Sequence, residues 1–353
     1  MSGYLIAMSG GVDSSAAASL ILERHGDAPV CGVTLVMGFD GDKQNSLDAA
    51  SVAGRLGIGH VTSDCSEAFR REVIDYFAHT YFRGKTPNPC VICNRAIKFG
   101  FLASEADKLG LYHIVTGHYA RTAVLNGRPV IRKAADSAKD QSYVLAMLTK
   151  AQVARAVFPL GDYTKTEVRT IASEQGFATA GKHDSQDICF IPDGDYVGFI
   201  SRTFGVEPVS GNYLDKDGNI LGPHKGQMCY TIGQRKGLGI SMGRHIFVLS
   251  KDAESNTVVL GDEEDLFCKS VSLGGFNCQA ADCVSDLDGL RFAVKLRYSQ
   301  KESEAVVHAV GEDSMILEFD EPQRAPSPGQ FGVLYSGDIL IGGGVIEARG
   351  KNE

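Results

Sequence analysis

A glycine- and serine-rich turn near the N-terminus has the residue types and spacing that phosphate binding needs. The turn reads Ser9-Gly10-Gly11-Val12-Asp13-Ser14 and lies between an apolar run and an amphipathic one. This pattern predicts a turn that joins a strand to the N-terminus of a helix. Glycines let the backbone approach a ligand closely, and the N–H groups and positive dipole end of a helix favour an anion. We therefore expect Ser9 to Ser14, the phosphate loop, to bind phosphate through its backbone and serine hydroxyls, without the lysine of a Walker A loop.

Cysteines are the second group of residues that could take part in a reaction or bind a metal. Cys90 and Cys93 form a C-x-x-C pair in "TPNPCVICNRAIKFG", and Cys189 lies in "DSQDICFIPDG". The chain has nine cysteines, an odd number, and no secretory signal pattern. This argues against a disulfide framework and for thiol chemistry or metal binding at some of them.

The elements that must position these residues follow an alternating pattern over roughly the first two hundred residues. Strands are predicted at Tyr4 to Met8, Val30 to Val36 and Tyr112 to Thr116, and helices near Ser15 to Leu22, Asp48 to Leu56, Glu67 to Tyr81 and Phe99 to Leu109. Such alternation predicts a parallel sheet flanked by helices. Ligands of these sheets bind outside the carboxyl ends of the strands, where the phosphate loop and "VTGHYAR" at Val115 to Arg121 would open. The two loops can share one nucleotide.

The pattern changes after about Thr203, where short strands and frequent turns begin. The stretch "KDGN" at Lys216 to Asn219 predicts a turn, and alternating runs from about Val271 onward predict a small antiparallel β domain. A chain of 353 residues is long enough for two or three domains. We expect an α/β parallel-sheet domain over 1–203, a small central β-rich domain over 204–270 and a C-terminal antiparallel β-barrel over 271–350.

The apolar stretches and the N-terminal pattern argue against a membrane-spanning or secreted protein. No apolar stretch approaches the roughly 18 to 20 residues of a membrane span, and the N-terminus has no signal-peptide pattern. We therefore expect a cytoplasmic protein that does not bind membranes. The net charge of −8 does not exclude a nucleic-acid partner, because phosphate binding needs a local basic face rather than a basic total.

The phosphate loop resembles the PP-loop of ATP pyrophosphatases, which cleave ATP between the α and β phosphates. Together with the two cysteine stretches it closely resembles the tRNA-specific 2-thiouridylases (MnmA/TrmU family), which replace the 2-oxygen of a wobble uridine with sulfur. The resemblance extends over nearly the whole chain and includes "TGHYAR", "KDQSYVL", "FPLGDYTKTEVR", "YTIGQRKGLGI", "LRYSQ" and "PGQFGVLY". It implies an adenine nucleotide alpha hydrolase-like fold for the N-terminal domain, ATP and Mg²⁺ as cofactors, and tRNA and a sulfur-relay protein or other sulfur donor as partners.

The resemblance also implies roles for individual residues. It implies an ATP site formed by Ala7, Met8, Ser9, Gly10, Gly11, Val12, Asp13, Ser14, Leu35 and Gly117. The implied catalytic pair is Cys93, a nucleophile, and Cys189, a persulfide carrier that forms a transient disulfide with Cys93. Residues implied to meet the tRNA are Asn88, Pro89, Cys90, Lys139, Asp140, Gln141, Arg297 and Tyr298.

One position departs from a known form of the family. Some members carry an aspartate, proposed to act in proton transfer, where this chain has Cys90. With Cys93 and Cys189 this change gives the site three thiols. Three cysteines suit a 4Fe-4S cluster with one open iron, which could bind inorganic sulfide directly. A structural zinc would want four closed ligands, which this spacing does not provide. We expect persulfide transfer, with the cluster as the alternative.

Other residues have two interpretations each. Asp13 could hold Mg²⁺ or cap the following helix. His118 is expected to be a packed loop histidine rather than a catalytic one. Arg235 and Lys236, in the glycine-rich "GQRKGLG", could form a solvated charge pair, but the glycines favour contact with an RNA backbone.

Two other functions compete with tRNA thiolation. A PP-loop ligase that forms an amide would adenylate a carboxylate and would need no paired thiols. A non-catalytic RNA-binding protein with the same fold would need neither an intact phosphate loop nor both Cys93 and Cys189. The presence of all three features favours the thiolating enzyme.

Overall fold

The structure, a computed structural model, describes residues 3–177 and 188–350. The strands are β1 (Tyr4–Ala7), β2 (Val30–Val36), β3 (Gly59–Asp64), β4 (His113–Val115), β5 (Ala120–Leu125), β6 (Arg128–Lys133), β7 (Ala156–Val157), β8 (Gly211–Leu214), β9 (Ile220–His224), β10 (Phe247–Asp252), β11 (Thr257–Gly261), β12 (Phe267–Cys278), β13 (Arg291–Lys295), β14 (Ser303–Ala309), β15 (Met315–Arg324), β16 (Phe331–Ser336) and β17 (Ile339–Arg349).

The α-helices are α1 (Val12–His25), α2 (Asp42–Leu56), α3 (Ser66–Phe69), α4 (Asp75–Phe82), α5 (Pro89–Cys93), α6 (Leu102–Lys108), α7 (Lys150–Arg155), α8 (Lys165–Glu174) and α9 (Tyr196–Phe204). Two π-helical stretches, with their wider turns, follow α3 at Arg70–Ile74 and α5 at Asn94–Phe101. The chain divides into two compact units. The first contains described residues within 3–74, 90–177 and 335–342, and the second those within 75–89, 188–334 and 343–350.

A parallel sheet forms the centre of the first unit. Its strand order is β3-β2-β1-β4-β7, so β1 lies between β2 and β4. Leu5 and Ile6 of β1 are fully buried, and α1 packs an alanine-rich, almost wholly buried surface into the same core as Ile6. Helix α8 joins that core through Val168 and Ala172. This order places the ends of β1 and β4 side by side at one edge of the sheet.

The first unit also contains a two-stranded hairpin, β5–β6. Arg132 of β6 donates through Nε to Asp338 Oδ2 at 2.8 Å, and Arg121 of β5 donates to the same oxygen at 3.2 Å. Ile339, the next residue, pairs with Arg132 in antiparallel fashion. A single carboxylate therefore ties the hairpin to the segment that contains residues 335–342.

Aromatic side chains hold the helices of the second unit together. Phe77 of α4 is fully buried, with ring-centroid distances of 5.3 Å to Phe190 and 6.4 Å to Phe199 of α9. Tyr81 stacks on Tyr196 at 4.6 Å. Because such rings bury large apolar areas, this cluster fixes the chain on both sides of α9.

The central sheet of the second unit has the strand order β10-β11-β8-β9. Strands β11 and β8 are parallel, and the other two pairs are antiparallel. Between β8 and β9 the carboxylate of Asp215 accepts from Asn219 N at 2.8 Å, which closes the turn expected at "KDGN".

The C-terminal strands close into an antiparallel barrel. The order is β12-β15-β14-β13-β16-β17, and β12 also pairs with β17. Alternate residues of β15, such as Met315, Leu317 and Phe319, are buried while their neighbours face outward. This period-two burial is what a closed barrel requires, because its inner face is the core and its outer face meets solvent.

The expected fold class is confirmed: a parallel α/β domain, a small central β domain and a C-terminal antiparallel barrel. Within the described parts of the chain, every helix is too short or too polar to cross a lipid bilayer.

The aromatic cluster generates a stability prediction. Phe77→Ala removes a fully buried ring and leaves a cavity, which should cost about 3–5 kcal/mol of unfolding free energy. The change should lower the midpoint of thermal or urea unfolding of the second unit. Val124→Ala, at a side chain that is 72% exposed, is the control and should leave the midpoint nearly unchanged. Equal midpoints for the two variants would contradict the role given to the cluster.

Candidate active site

The phosphate loop occupies the turn between β1 and α1. Gly10 has a φ of +66°, and a Cβ there would lie 2.7 Å from Asn45 O and 2.9 Å from Asp48 Cβ. Any other residue would therefore be strained in backbone and in space. Gly11 is the N-cap of α1 and provides no side-chain cap. The first N–H groups of α1 are thus left uncapped by the side chain at this position, which is the arrangement that suits an anion.

Serine hydroxyls hold the phosphate loop in shape. Ser14 Oγ accepts from Ser9 N at 3.2 Å and donates to Gly11 O at 3.1 Å. Ser15 Oγ donates to the same carbonyl at 2.8 Å, and the hydroxyls of Ser9 and Ser14 are 3.3 Å apart. Ser14 and Ser15 are buried, whereas Ser9 is exposed. The loop is thus preorganised by its own side chains.

Asp13 has partners that neither of its expected interpretations included. Lys165 Nζ donates to both carboxylate oxygens of Asp13, at 2.8 and 2.9 Å, and the Tyr119 hydroxyl donates to Oδ1 at 2.8 Å. The N-cap of α1 is Gly11, and Asp13 lies in the first turn of the helix. The capping interpretation is therefore wrong, because the carboxylate of Asp13 points to α8 and to the end of the "TGHYAR" loop instead.

The structure brings most of the expected nucleotide residues together. Ala7 ends β1, and buried Met8 donates its N–H to Val33 O of β2 at 2.8 Å. A Cβ on Gly117 would lie 2.9 Å from Asp13 C and 3.0 Å from Ser14 N, so the loop after β4 packs directly on the phosphate loop. Leu35 lies near the carboxyl end of β2, the strand beside β1, and is half-buried.

His118 is buried beneath this edge of the sheet. Its Nδ1 is 2.8 Å from Thr116 Oγ1, and its ring lies 6.3 Å from that of Phe99. Burial first, and then the charge of Lys98, lower the pKa of His118 well below its ordinary value. The imidazole is therefore neutral at physiological pH, which agrees with the packed loop histidine expected from the sequence.

Cys90 and Cys93 lie on the short helix α5, at the point where α-helical turns give way to π-helical ones. Cys90 is exposed and Cys93 is buried. Desolvation raises the pKa of the Cys90 thiol, and the nearby charge of Lys98 opposes this effect without cancelling it. Cys90 is therefore a protonated thiol at neutral pH, because its pKa lies above the already alkaline value of an ordinary cysteine. π-helical turns are rare and are found frequently at functional sites.

Cys189 is exposed on a tight turn of the second unit. Its neighbours Phe190 and Ile191 are buried, and Ile191 N donates to Ile188 O at 2.8 Å. The turn thus holds the thiol outward while the next residue is anchored in the aromatic cluster around Phe77. The residues Asp184 to Asp187 of the same sequence stretch lie outside the described residues.

The segment before α5 is anchored in the second unit. Thr86 N donates to Pro328 O at 2.8 Å, and Gln330 Nε2 donates to the carbonyls of Thr86 and Pro87 at 3.2 and 2.8 Å. Asn88, which follows, is half-buried and Pro89 is buried. The C-terminal barrel therefore sets the conformation of the chain that leads into Cys90.

Of the expected tRNA residues in the first unit, two have side chains that point into the protein. Asp140 is buried, and its carboxylate accepts from Ala134 N at 3.0 Å, Ser142 N at 3.2 Å and Ser142 Oγ at 2.8 Å. Gln141 Oε1 accepts from Tyr119 N at 2.9 Å. Lys139 is half-buried. The Asp140 and Gln141 side chains thus shape the turn that carries Lys139.

Arg297 and Tyr298 follow β13 of the barrel. Arg297 is half-buried, and its Nη2 donates to Ala325 O at 2.6 Å and to Ser327 Oγ at 3.0 Å. The same nitrogen is 3.5 Å from Ile232 O, just before the "GQRKGLG" segment. Tyr298 is 44% exposed. Arg297 therefore has a structural role whatever else it contacts.

The "GQRKGLG" segment forms an exposed basic surface. Arg235 and Lys236 are exposed, and Arg235 and Arg244 border an open cavity of about 860 Å³. Gly237 and Gly239 have φ angles of +76° and +70°, which few other residues adopt. Arg244 is paired with Asp262 at 2.9 Å. The surface has the charge and the close backbone access expected for an RNA contact.

Metal binding requires several donor side chains that lie close together. Among residues 3–177 and 188–350, no three or more His, Cys, Asp or Glu side chains are grouped so as to hold a metal ion. At the phosphate loop the carboxylate donor is Asp13, whose side chain is 34% exposed. One carboxylate can hold Mg²⁺ where substrate phosphates and waters complete the site, and Asp13 would have to give up its hydrogen bonds from Lys165 to do so.

Three family models match the chain in order. They are the tRNA methyl transferase HUP domain over residues 3–193, the tRNA methyl transferase PRC-barrel domain over 198–262 and the aminomethyltransferase beta-barrel domain over 277–346. The N-terminal parallel sheet, the central sheet and the C-terminal barrel are thus those of a tRNA-modifying class of proteins.

Curated relatives identify the family within this class of tRNA-modifying proteins. The chain is 43% identical to tRNA-specific 2-thiouridylase MnmA 1 of Caldanaerobacter subterraneus subsp. tengcongensis, over 98% of each chain. It is 43% identical to the MnmA of Clostridium acetobutylicum, over 97% of this chain and 99% of that one, and 44% identical to the MnmA of Clostridioides difficile, over 97% of each. The chain therefore belongs to the tRNA-specific 2-thiouridylase MnmA family.

A solved structure gives a weaker likeness. The U34-tRNA thiolase NcsA from Methanococcus maripaludis aligns with a TM-score of 0.37 at 15% identity, over 57% of this chain and 66% of that one. This similarity is too low to bear on the fold or the mechanism.

The contacts of Lys165 and Tyr119 with Asp13 were not predicted from the sequence. Both lie in stretches quoted for the family, "FPLGDYTKTEVR" and "TGHYAR", and Thr164 with Glu167 shows the spacing of a capping box that predicts the start of α8. Their pairing with Asp13 joins residues more than a hundred positions apart and has no signal in the sequence.

The burial of Asp140 generates a prediction. Asp140→Asn replaces an acceptor of three hydrogen bonds with an uncharged amide that cannot reproduce all of them, and should cost about 1–3 kcal/mol of unfolding free energy. Asp136→Asn, in the same turn, is the control and should cost less, because that carboxylate is half-buried and accepts from Ala138 N at 3.0 Å and from Lys165 N at only 3.4 Å. Unfolding curves for both variants provide the measurement, and an Asp140 variant as stable as the wild type would contradict the structural role.

Proposed function

We propose that this protein is an ATP-dependent enzyme that replaces the 2-oxygen of the wobble uridine of tRNA with sulfur. The proposal is carried by the near full-length similarity to proteins named tRNA-specific 2-thiouridylase. The geometry supports it independently, because a preorganised phosphate loop and the Cys93 thiol belong to the same compact unit. An amide-forming ligase would need the loop but not the thiols.

The phosphate loop addresses the first chemical difficulty, which is that uridine O2 is a poor leaving group. In the proposed step O2 attacks the α-phosphorus of ATP, and the bond from that phosphorus to the α–β bridging oxygen breaks. Its electron pair leaves with pyrophosphate. The uncapped N-terminus of α1 and the Ser9 and Ser14 hydroxyls stabilise the negative charge at the phosphates. The former carbonyl oxygen is then part of an AMP group that departs readily.

Sulfur transfer needs one accessible thiol and one protected thiol. Exposed Cys189 suits a carrier that must meet a sulfur donor, and its persulfide, more acidic and more nucleophilic than a thiol, attacks C2 of the uridine as AMP leaves. Buried Cys93 then attacks the Cys189 sulfur as a thiolate. This step breaks the S–S bond, releases the 2-thiouridine and leaves a Cys93–Cys189 disulfide. An external dithiol reductant then supplies two electrons and two protons, which restore the two thiols.

This route leaves Cys90 with a task other than sulfur transfer. Desolvation raises the pKa of its thiol above the ordinary value of a cysteine. Cys90 replaces a proton-transferring aspartate of some relatives, and a thiol of raised pKa can still hold a proton for exchange. It does not need to form a bond to sulfur.

Basic residues in each unit suggest where the protein would contact tRNA. In the first unit the turn shaped by Asp140 presents Lys139, and in the second unit the 235–246 surface presents Arg235 and Lys236. Phosphate contacts of this kind supply most of the affinity for RNA and make it dependent on salt.

Analysis of tRNA nucleosides tests the proposed function. A strain that lacks this protein should lose 2-thiouridine derivatives from its tRNA, as detected by mass spectrometry of the digested nucleosides. Expression of the wild type should restore them, and expression of Cys93→Ser should not. An unchanged nucleoside profile in the deletion strain would contradict the proposal.

A substitution at Cys90 separates the two sulfur routes. If Cys93 and Cys189 act through a persulfide, metal-free Cys90→Ser should retain substantial thiolation with a persulfide donor, whereas Cys93→Ser and Cys189→Ser should be inactive. If the three thiols hold a 4Fe-4S cluster, Cys90→Ser should lose both iron and activity after anaerobic reconstitution. Activity found only in iron-bearing wild-type protein would overturn the persulfide route.

A further inference from the structure

A single carboxylate oxygen holds the chain that follows β2. Asp42 is the first residue of α2, and its Oδ2 accepts from three consecutive backbone N–H groups: Met37 at 2.7 Å, Gly38 at 2.8 Å and Phe39 at 3.0 Å. Hydrogen bonds to a carboxylate are stronger than those between neutral groups. Asp42 therefore fixes the conformation of residues 37–41, the β2–α2 loop.

Further contacts keep the β2–α2 loop beside the phosphate loop. The Phe39 ring meets the Phe69 ring edge-on, with the centroids 5.4 Å apart. Gly10 of the phosphate loop lies against α2, since a Cβ on Gly10 would be 2.7 Å from Asn45 O. Ligands of parallel sheets bind outside the carboxyl ends of the strands. The β2–α2 loop thus borders the space in which a nucleotide held by the phosphate loop would lie.

The β2–α2 loop offers both apolar side chains and accessible backbone on this border. Leu35, near the end of β2, and Met37, two positions later, are half-buried. Gly38 is exposed and has a φ of +91°. Small-molecule sites combine apolar walls with a few polar groups that fix the orientation of the ligand. The backbone of this loop can supply those polar groups to a base.

The peptide groups of the β2–α2 loop have a defined polarity. They are trans, so that the C=O and N–H of one peptide point in opposite directions. Since the N–H groups of Gly38 and Phe39 point to Asp42, the carbonyls of Met37 and Gly38 point away from it. Within the described residues these two carbonyls accept no hydrogen bond. The loop therefore has acceptors to offer, while Asp42 occupies its donors.

A purine with an amino group at position 6 matches this polarity. Adenine has a hydrogen-bond donor, N6, where guanine has an acceptor, O6. Guanine O6 would face carbonyl oxygens and could not use the N–H groups that Asp42 already binds. A polar group left without a partner in a site costs binding free energy.

We propose that Asp42 is a positioning residue that makes the β2–α2 loop select a 6-aminopurine nucleotide over a 6-oxopurine nucleotide. It binds the N–H groups of the loop and thereby presents the carbonyls to the base. The phosphate loop cannot make this choice, because it contacts phosphates that all nucleoside triphosphates share. The proposal rests on the proposed function, since it assumes that the phosphate loop binds ATP.

Asp64 offers a matched control for a test of Asp42. It ends β3, the strand beside β2, and its Oδ1 accepts one backbone N–H, that of Ser66, at 2.9 Å. Asp42→Ala and Asp64→Ala each remove a carboxylate that holds backbone at this edge of the sheet, but Asp64→Ala leaves the β2–α2 loop bound to Asp42. Asp42→Asn keeps an acceptor oxygen and is the conservative variant. Thermal unfolding shows whether any of the changes disturbs folding.

The measurement is the binding of Mg²⁺·ATP, Mg²⁺·GTP and tripolyphosphate, by calorimetry without tRNA. The wild type should prefer ATP to GTP. Asp42→Ala should reduce the ratio of the two affinities by about tenfold or more, because the carbonyls lose their fixed direction and the N–H groups become available to O6. Asp42→Asn should keep a larger part of the preference. Tripolyphosphate has no base and should bind all variants like the wild type, and Asp64→Ala should keep the wild-type preference.

The possible outcomes separate this proposal from the proposed function. If the wild type binds ATP and Asp42→Ala keeps the full preference for ATP over GTP, the assignment of Asp42 is wrong and the proposed function stands. If Asp42→Ala loses tripolyphosphate binding as far as ATP binding, the carboxylate supports the whole site and not the choice of base, and the assignment is again wrong. A wild type that binds no ATP contradicts both.

Discussion

The carboxylate of Asp13 fixes the relative positions of three segments that lie far apart in the sequence. It belongs to α1, and it accepts hydrogen bonds from Lys165 at the start of α8 and from Tyr119 after β4. Because the Lys165 side chain is largely buried, breaking this ion pair would leave a poorly solvated ammonium without its counter-ion, which opposes separation of the segments. The phosphate loop and Gly117 lie against the same helix end. The phosphate loop, the loop after β4 and the start of α8 are therefore packed around the first turn of α1.

In the proposed sulfur route, burial distinguishes the roles of Cys189 and Cys93. Cys189 is exposed on a turn anchored by Phe190, as a sulfur acceptor must be. Cys93 is buried at the change from α-helical to π-helical turns. Cys90, with its raised pKa, keeps the proton that a reactive thiolate would lose. The distinct tasks proposed for the three cysteines rest on these differences in environment.

Local patterns in the sequence predicted the fold class and the phosphate loop. Strand β2 was predicted with its observed bounds, whereas β3 was missed because its residues are only partly buried and show no clear apolar period. The family resemblance named Asp140, but its internal hydrogen bonds depend on the path of the chain between Ala134 and Ser142. The partners of Asp13 could not be predicted, since an ion pair between α1 and α8 depends on how the two helices pack. Sequence patterns report local conformation, and side-chain partners across the core do not follow from them.

The central claim is that the phosphate loop directs attack of uridine O2 on the α-phosphorus of ATP. It is tested most directly with tRNA that carries a heavy oxygen isotope at O2 of the wobble uridine, incubated with the protein, ATP and a persulfide donor. Mass spectrometry of the nucleotides should then find the label in AMP, because that oxygen leaves C2 bound to the α-phosphorus. Label recovered in inorganic phosphate with ADP, or released to water while thiolation proceeds, would contradict the account.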